Sequence, residues 1–194
     1  MADVKATERK LIGPVVISFP CLFRKNDYNN TYYEVDVLYR RGSAVHQQFS
    51  ELDEQAIRNR WPDGAPKGVI SCIKSGDEKN EARAQADKEP LESYDGMLFS
   101  KLRTQSQPRV TGPNNEVIDD PMLLKGGNIC VLSVSAFPYD NTTNAAKKKF
   151  GKKGIWLTLY GLRKLQEGKV FGAPSRDANS DLDSYEADTG DEEF

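Results

Sequence analysis

From Asn128 to Arg163 the chain reads as strand, basic loop, strand, and this stretch constrains the fold more than any other. Asn128 to Tyr139 is apolar and β-branched, with Ile129, Val131, Leu132, Val134 and Phe137. Asp140 to Lys153 is polar, with five lysines and Phe150, and Gly154 to Arg163 alternates again. A β-hairpin with a long cationic tip is the simplest account. In its second strand the two-residue period puts Ile155, Leu157 and Leu159 on one face and Trp156, Thr158 and Tyr160 on the other. One face reads as core, and the other offers rings.

A chain of 194 residues can bury one real core and leaves little room for a second domain. Residues 1–10 read as a flexible leader, 11–174 as the folded domain and 175–194 as an acidic, disordered tail poor in core formers. No apolar run approaches the roughly 20 residues of a membrane span, and Met1 to Lys10 lacks the hydrophobic core of a signal peptide, so a cytoplasmic protein is expected. Cys21, Cys72 and Cys130 are odd in number, widely spaced and form no CxxC pair, which argues for reduced, mostly buried thiols. The single histidine, His46, removes most His-based dyads and zinc sites and reads as an ordinary helix residue.

The formal net charge of −2 conceals a separation. Eight acids and no base follow Arg176, leaving 21 acids against 27 bases in residues 1–176, a net of +6. A basic body with an acidic tail suggests a polyanion-binding surface and a charge-matched intramolecular competitor.

Five principal strands are expected: Ile12 to Phe19, Thr31 to Arg41, Met97 to Arg103, Asn128 to Tyr139 and Gly154 to Arg163. Pro14 suits a strand entrance or an edge. In the second strand Tyr33, Val35, Val37 and Tyr39 make the better core face. Ser43 is a plausible N-cap for a helix to about Trp61, with Val45, Phe49, Leu52 and Ala56 on one stripe. Pro62 to Gly96 reads as a long surface excursion with a short strand near Val69 to Ile73, and Glu78 to Glu89 is either a short charged helix or a solvated connection. Pro108, Arg109 and Val110 begin a further short extended piece.

Five strands, one convincing helix and long basic loops at Cys21 to Thr31 and Asp140 to Lys153 fit a mainly β chain forming a five-stranded OB-type barrel, whose ligand groove those two loops would flank. A split barrel or a β-sandwich satisfies the same pattern.

Single-stranded nucleic acid binding needs cations that follow a phosphate backbone and π-faces on which bases stack. The chain interleaves both: Phe23, Arg24, Lys25 and Tyr28; then Phe99, Lys101, Arg103 and Arg109; then Phe137, Tyr139, Lys147 to Lys149, Lys152, Lys153 and Trp156. Most aromatics in a fold of this size are core, so the set carries more weight than any member. The expected groove residues are Phe99, Lys101, Arg103, Arg109, Phe137, Tyr139, Lys148, Lys152 and Trp156. Two other classes compete. Glu34, Asp36, Asp77, Glu78, Asp119 and Asp120 could hold a divalent metal in a nucleic-acid-processing enzyme, but no DxD-like constellation is tied to a base. An adaptor binding proteins alone is the other. Gly126-Gly127 lacks the rest of a phosphate-cradling loop, and no cofactor is expected.

The order of these pieces resembles the OB-fold single-stranded DNA-binding proteins of tailed bacteriophages. The resemblance is carried by Gly13-Pro14 leading to Ser18-Phe19-Pro20 and Leu22-Phe23, the strand from Tyr32 to Leu38, and the helix ending in Trp61. It continues through Ile73 to Asn80, Gly96 to Lys101, Pro108-Arg109-Val110, Gly126-Gly127, Ala136 to Asn141 and Trp156 to Arg163, and closes on Asp191-Glu192-Glu193-Phe194. It implies a non-catalytic protein that coats single-stranded DNA during phage replication and recombination in the host cytoplasm. Asp191 to Phe194 would contact phage or host replication proteins, and the tail would compete with DNA for the groove. A homodimer is compatible with the resemblance.

Overall fold

The computed structural model describes residues 5–25, 30–142 and 151–171. In chain order the elements are β1 (Lys10–Cys21), β2 (Tyr33–Tyr39), α1 (Ala44–Arg60), β3 (Val69–Ile70), β4 (Lys74–Ser75), α2 (Gly76–Ala84), β5 (Leu98–Thr104), β6 (Arg109–Thr111), β7 (Ile129–Asp140) and β8 (Lys153–Gln166). The expected hairpin is β7 and β8, paired antiparallel from Ile129↔Gln166 to Asp140↔Lys153. Alternation sorts its faces as the period requires: Leu132, Val134, Ala136, Ile155, Leu157 and Leu159 are buried, while Phe137 and Trp156 look outward.

β1 pairs with both β7 and β2, and β2 pairs with β5, all antiparallel. Parallel pairing of Leu102 with Leu157 and Arg103 with Thr158 joins β5 to β8 and closes a five-stranded OB-type barrel. Ile12, Ile17, Val35, Val37, Leu102, Leu132, Val134 and Leu159 fill its interior. Ser43 caps α1 by accepting a hydrogen bond from the His46 N–H at 3.2 Å. The predicted stripe Val45, Phe49, Leu52 and Ala56 is buried against β1 and β7, and the Phe49 ring stacks on Tyr39 at 5.1 Å. Burying Phe49 completely contributes about 1.5–3 kcal/mol of apolar transfer.

In three places the structure corrects or sharpens the sequence reading. Pro14 lies inside β1 and not at its entrance, where the β1–β7 register shifts between Ile12 and Val15; a residue without an N–H fits where the ladder is already broken. A second helix, α2, follows β4, with Ser75 Oγ accepting from the Glu78 N–H at 3.3 Å. The Pro62 to Gly96 segment does run over the surface, with most of its residues exposed, but a few of them tie it into the barrel. The Cys72 N–H donates to the Asp53 carboxylate at 2.9 Å, Ser100 Oγ donates to the Cys72 carbonyl at 2.9 Å, and Tyr94 is fully buried. Gly76 makes this docking possible, because a Cβ there would lie 2.0 Å from the Tyr94 carbonyl oxygen.

Of the expected leader, residues 5–10 are described. Thr7 is buried on β7, its N–H donating to the Ala136 carbonyl at 2.8 Å and its hydroxyl accepting from the Ala136 N–H at 2.9 Å. The expected tail, 175–194, lies outside the described residues. No helix among the described residues is long and apolar enough to cross a membrane. Cys72 and Cys130 are buried free thiols and Cys21 is partly covered.

Candidate functional site

The period that buries Leu102 and Leu157 turns Lys101 and Arg103 of β5 and Trp156 and Thr158 of β8 to the outside of the barrel. The β7–β8 register sets Phe137 directly opposite Trp156. Tyr32, just before β2, tilts against Trp156 with ring centroids 5.2 Å apart, and the Arg103 guanidinium sits 5.4 Å from the Trp156 centroid. These groups line a cleft of about 890 Å³ together with Tyr139 and Lys152. Burial raises the Tyr139 phenol, with the Arg103 charge pulling it partly back, so it stays a neutral hydrogen-bond donor at physiological pH. Phe137 remains 38 % exposed at the cleft wall. Four rings and two cations around one open concavity can stack bases and meet phosphates without reading sequence.

Beside the cleft the outer face of β2 and β5 is a ladder of opposite charges. Glu34 lies opposite Arg103 and Asp36 opposite Lys101. Glu34 pairs with the Arg103 Nε at 3.1 Å and the Lys101 Nζ at 3.3 Å; Asp36 pairs with the Lys79 Nζ at 2.7 Å and with Lys101 at 3.6 Å. Asp36 is only 2 % exposed and also accepts the Tyr94 hydroxyl at 2.8 Å. Lys79 comes from α2 and is caged by Tyr94 at 3.9 Å, Phe99 at 4.6 Å and Phe19 at 5.3 Å. Desolvation lowers its pKa and the Asp36 carboxylate opposes that shift.

The structure thus brings together Arg103, Phe137, Tyr139, Lys152 and Trp156 of the expected groove residues, and places Lys101 next to them on the acidic floor. Phe99 lies elsewhere: its ring is 6 % exposed beneath Lys79, packed with Leu38 and Tyr94, and it borders a second cleft. Arg109 is exposed on β6, opposite Gly161 of β8 and three residues beyond Thr158, outside the lining of the first cleft. Lys148 and Asp191, Glu192, Glu193 and Phe194 lie outside the described residues.

Sequence reading missed Tyr32 as a cleft residue and Glu34, Asp36, Lys79 and Tyr94 as parts of the charged floor. Acids alternating along one strand and bases along another signal a cross-strand ladder once the two strands are known to pair. Of the remaining carboxylates, Asp77 accepts the Gly96 N–H at 2.7 Å and Asp120 the Met122 N–H at 2.8 Å. Among the described residues no group of three or more His, Cys, Asp or Glu is placed to hold a metal. His46 accepts the Gly42 N–H on Nδ1 at 3.1 Å and stacks on Tyr39.

No protein-family model and no curated protein matches the sequence. Solved structures do match the fold. The single-stranded DNA-binding protein from bacteriophage Enc34 is 19 % identical over 90 % of this chain and 89 % of its own, with a TM-score of 0.61. Its complex with single-stranded DNA is 20 % identical over 84 % of this chain and 89 % of its own, with a TM-score of 0.58. Gp2.5 of bacteriophage T7, a single-stranded DNA-binding protein, is 12 % identical over 96 % of this chain and 99 % of its own, with a TM-score of 0.51. This chain shares their barrel fold along nearly its whole described length.

Proposed function

We propose that this chain is a non-catalytic, sequence-independent single-stranded DNA-binding protein that coats and protects DNA strands in phage replication and recombination in the host cytoplasm. The observation that carries the reading is the cleft itself: Tyr32, Phe137, Tyr139 and Trp156 converge with Arg103 and Lys152 on an open barrel face. Its walls offer π-faces, which every base can use, and its cations contact a backbone, which every strand has. The shared fold with a protein solved in complex with single-stranded DNA supports the same reading. In this scheme the acidic residues after Arg176 compete with DNA for the basic face, and Asp191 to Phe194 contact replication proteins.

The test is a fluorescence-anisotropy titration of a labelled single strand at several salt concentrations, with residues 1–194 and with residues 1–176, and with duplex as competitor. Salt-sensitive binding that prefers single strand and strengthens on removing the tail is the expected result. Failure of both proteins to bind single strand would overturn the reading. Shortening of the labelled strand in magnesium or manganese would transfer the chain to the processing enzymes.

A further inference from the structure

The second cleft, of about 640 Å³, opens at the other end of β5 between β4, α2 and the start of α1. Its character differs from the first. Phe99 forms its floor but is almost wholly covered, so it offers little ring area for stacking. Arg41, Lys74 and Lys79 stand around it, with Glu78 as an acid on the rim and His46 on the α1 side. Lys74 pairs in register with Phe99 at the β4–β5 edge, one strand out from the ladder.

Charge accounting singles out Lys74. Lys79, Lys101 and Arg103 each have a carboxylate of the floor within 3.3 Å, whereas Lys74 has no ion-pair partner among the described residues. Partial desolvation of this exposed side chain and then the charges of Arg103 and Lys101 lower its pKa, so it lies in the same positive field as the first cleft. Four residues of strand separate Phe99 from Arg103, about 13 Å, and Lys101 lies between them on the same face. A strand that left the rings of the first cleft along β5 would reach Lys74, which is in register with Phe99.

We propose that this second cleft is a phosphate-binding subsite, in which Lys74, with Arg41 beside it, holds the backbone of the same single strand whose bases stack in the first cleft. The inference rests on the function proposed above. It divides the labour: rings at one end of β5 take bases, and uncompensated cations at the other take phosphodiester.

Strand length separates the two subsites. Anisotropy titrations of the full chain with labelled strands of about 4 and about 16 nucleotides bracket the usual site sizes of one barrel. For Lys74→Glu, binding of the short strand should stay within about twofold of the unaltered protein, while the long strand should bind about tenfold more weakly. The log–log salt slope for the long strand should shrink by roughly 0.7 in Lys74→Gln, the loss of one phosphate contact. Trp156→Ala should weaken both lengths. Equal weakening of short and long strands by Lys74→Glu, or no effect on either, would overturn the second subsite while leaving the first intact. If the unaltered protein binds neither length, it is the proposed function that fails. Lys74 is exposed, so circular dichroism of both variants should match that of the parent.

Discussion

Glu34 is a carboxylate on the floor of a surface expected to bind a polyanion, and it holds Lys101 and Arg103 at 3.3 and 3.1 Å. A phosphate approaching those cations meets a like charge already beside them. Glu34→Gln keeps the shape and removes that charge, so single-strand affinity should rise several-fold, and the salt slope should steepen by roughly 0.7 for each cation released to a phosphate. Unchanged affinity and slope would mean that neither cation meets the strand. Trp156 makes the opposite case, because it presents a π-face between Tyr32 and Arg103. Trp156→Ala should cost about 1–3 kcal/mol of binding, roughly 5- to 150-fold in dissociation constant, with the fold retained. A folded variant that binds as tightly as before would show that the ring serves packing alone.

The long elements were legible because each repeats its period several times. β7 and β8 alternate over 12 and 14 residues, and α1 shows four buried positions on one stripe. β3 falls within the short strand read near Val69 to Ile73, but β4 has two residues, too short for any period, and the docking of Cys72 and Tyr94 beside it rests on tertiary bonds that no local pattern encodes. The site was legible in part for the same reason. The outward set on β8 follows from its own alternation, but the charge ladder needs the pairing of β2 with β5, and the burial of Phe99 needs Lys79 from α2 above it. Two substitutions test the elements that hold this frame. Phe49→Ala empties the contact between α1 and the barrel and should cost about 3–5 kcal/mol in urea denaturation. Thr7→Val removes the hydroxyl that satisfies the buried Ala136 N–H and should cost about 1–3 kcal/mol. A loss near zero there would mean that the Thr7 hydroxyl contributes nothing to the stability of β7.

At the scale of the whole molecule, the buried titratable groups fix how stability responds to alkali. Burial raises the Cys130 thiol to about 12 and lifts Cys72 and the phenols of Tyr39 and Tyr94 well above their ordinary values. In the unfolded chain the thiols lose their protons near pH 9 and the phenols near pH 10, while the folded protein keeps them. The native state then binds more protons than the unfolded one, so stability falls as pH rises, by about 1.4 kcal/mol per pH unit for each group fully mismatched. Lys74 and Lys79 act in the other direction. Their lowered pKa values let the folded protein release protons first, which adds stability with rising pH until the unfolded lysines titrate near pH 10.4. Below about pH 10 the two lysines oppose the two thiols; above it the phenols join the thiols while the lysine gain ends, so the net decline is steepest above about pH 10. Urea midpoints at about pH 7, 9 and 11 measure it. The Cys130→Ala protein should lose its share of the slope between about pH 9 and 12. A midpoint that stays level to about pH 11 in the unaltered protein would mean that water reaches these four groups, and with them the interior from which β5, β7 and β8 present the cleft.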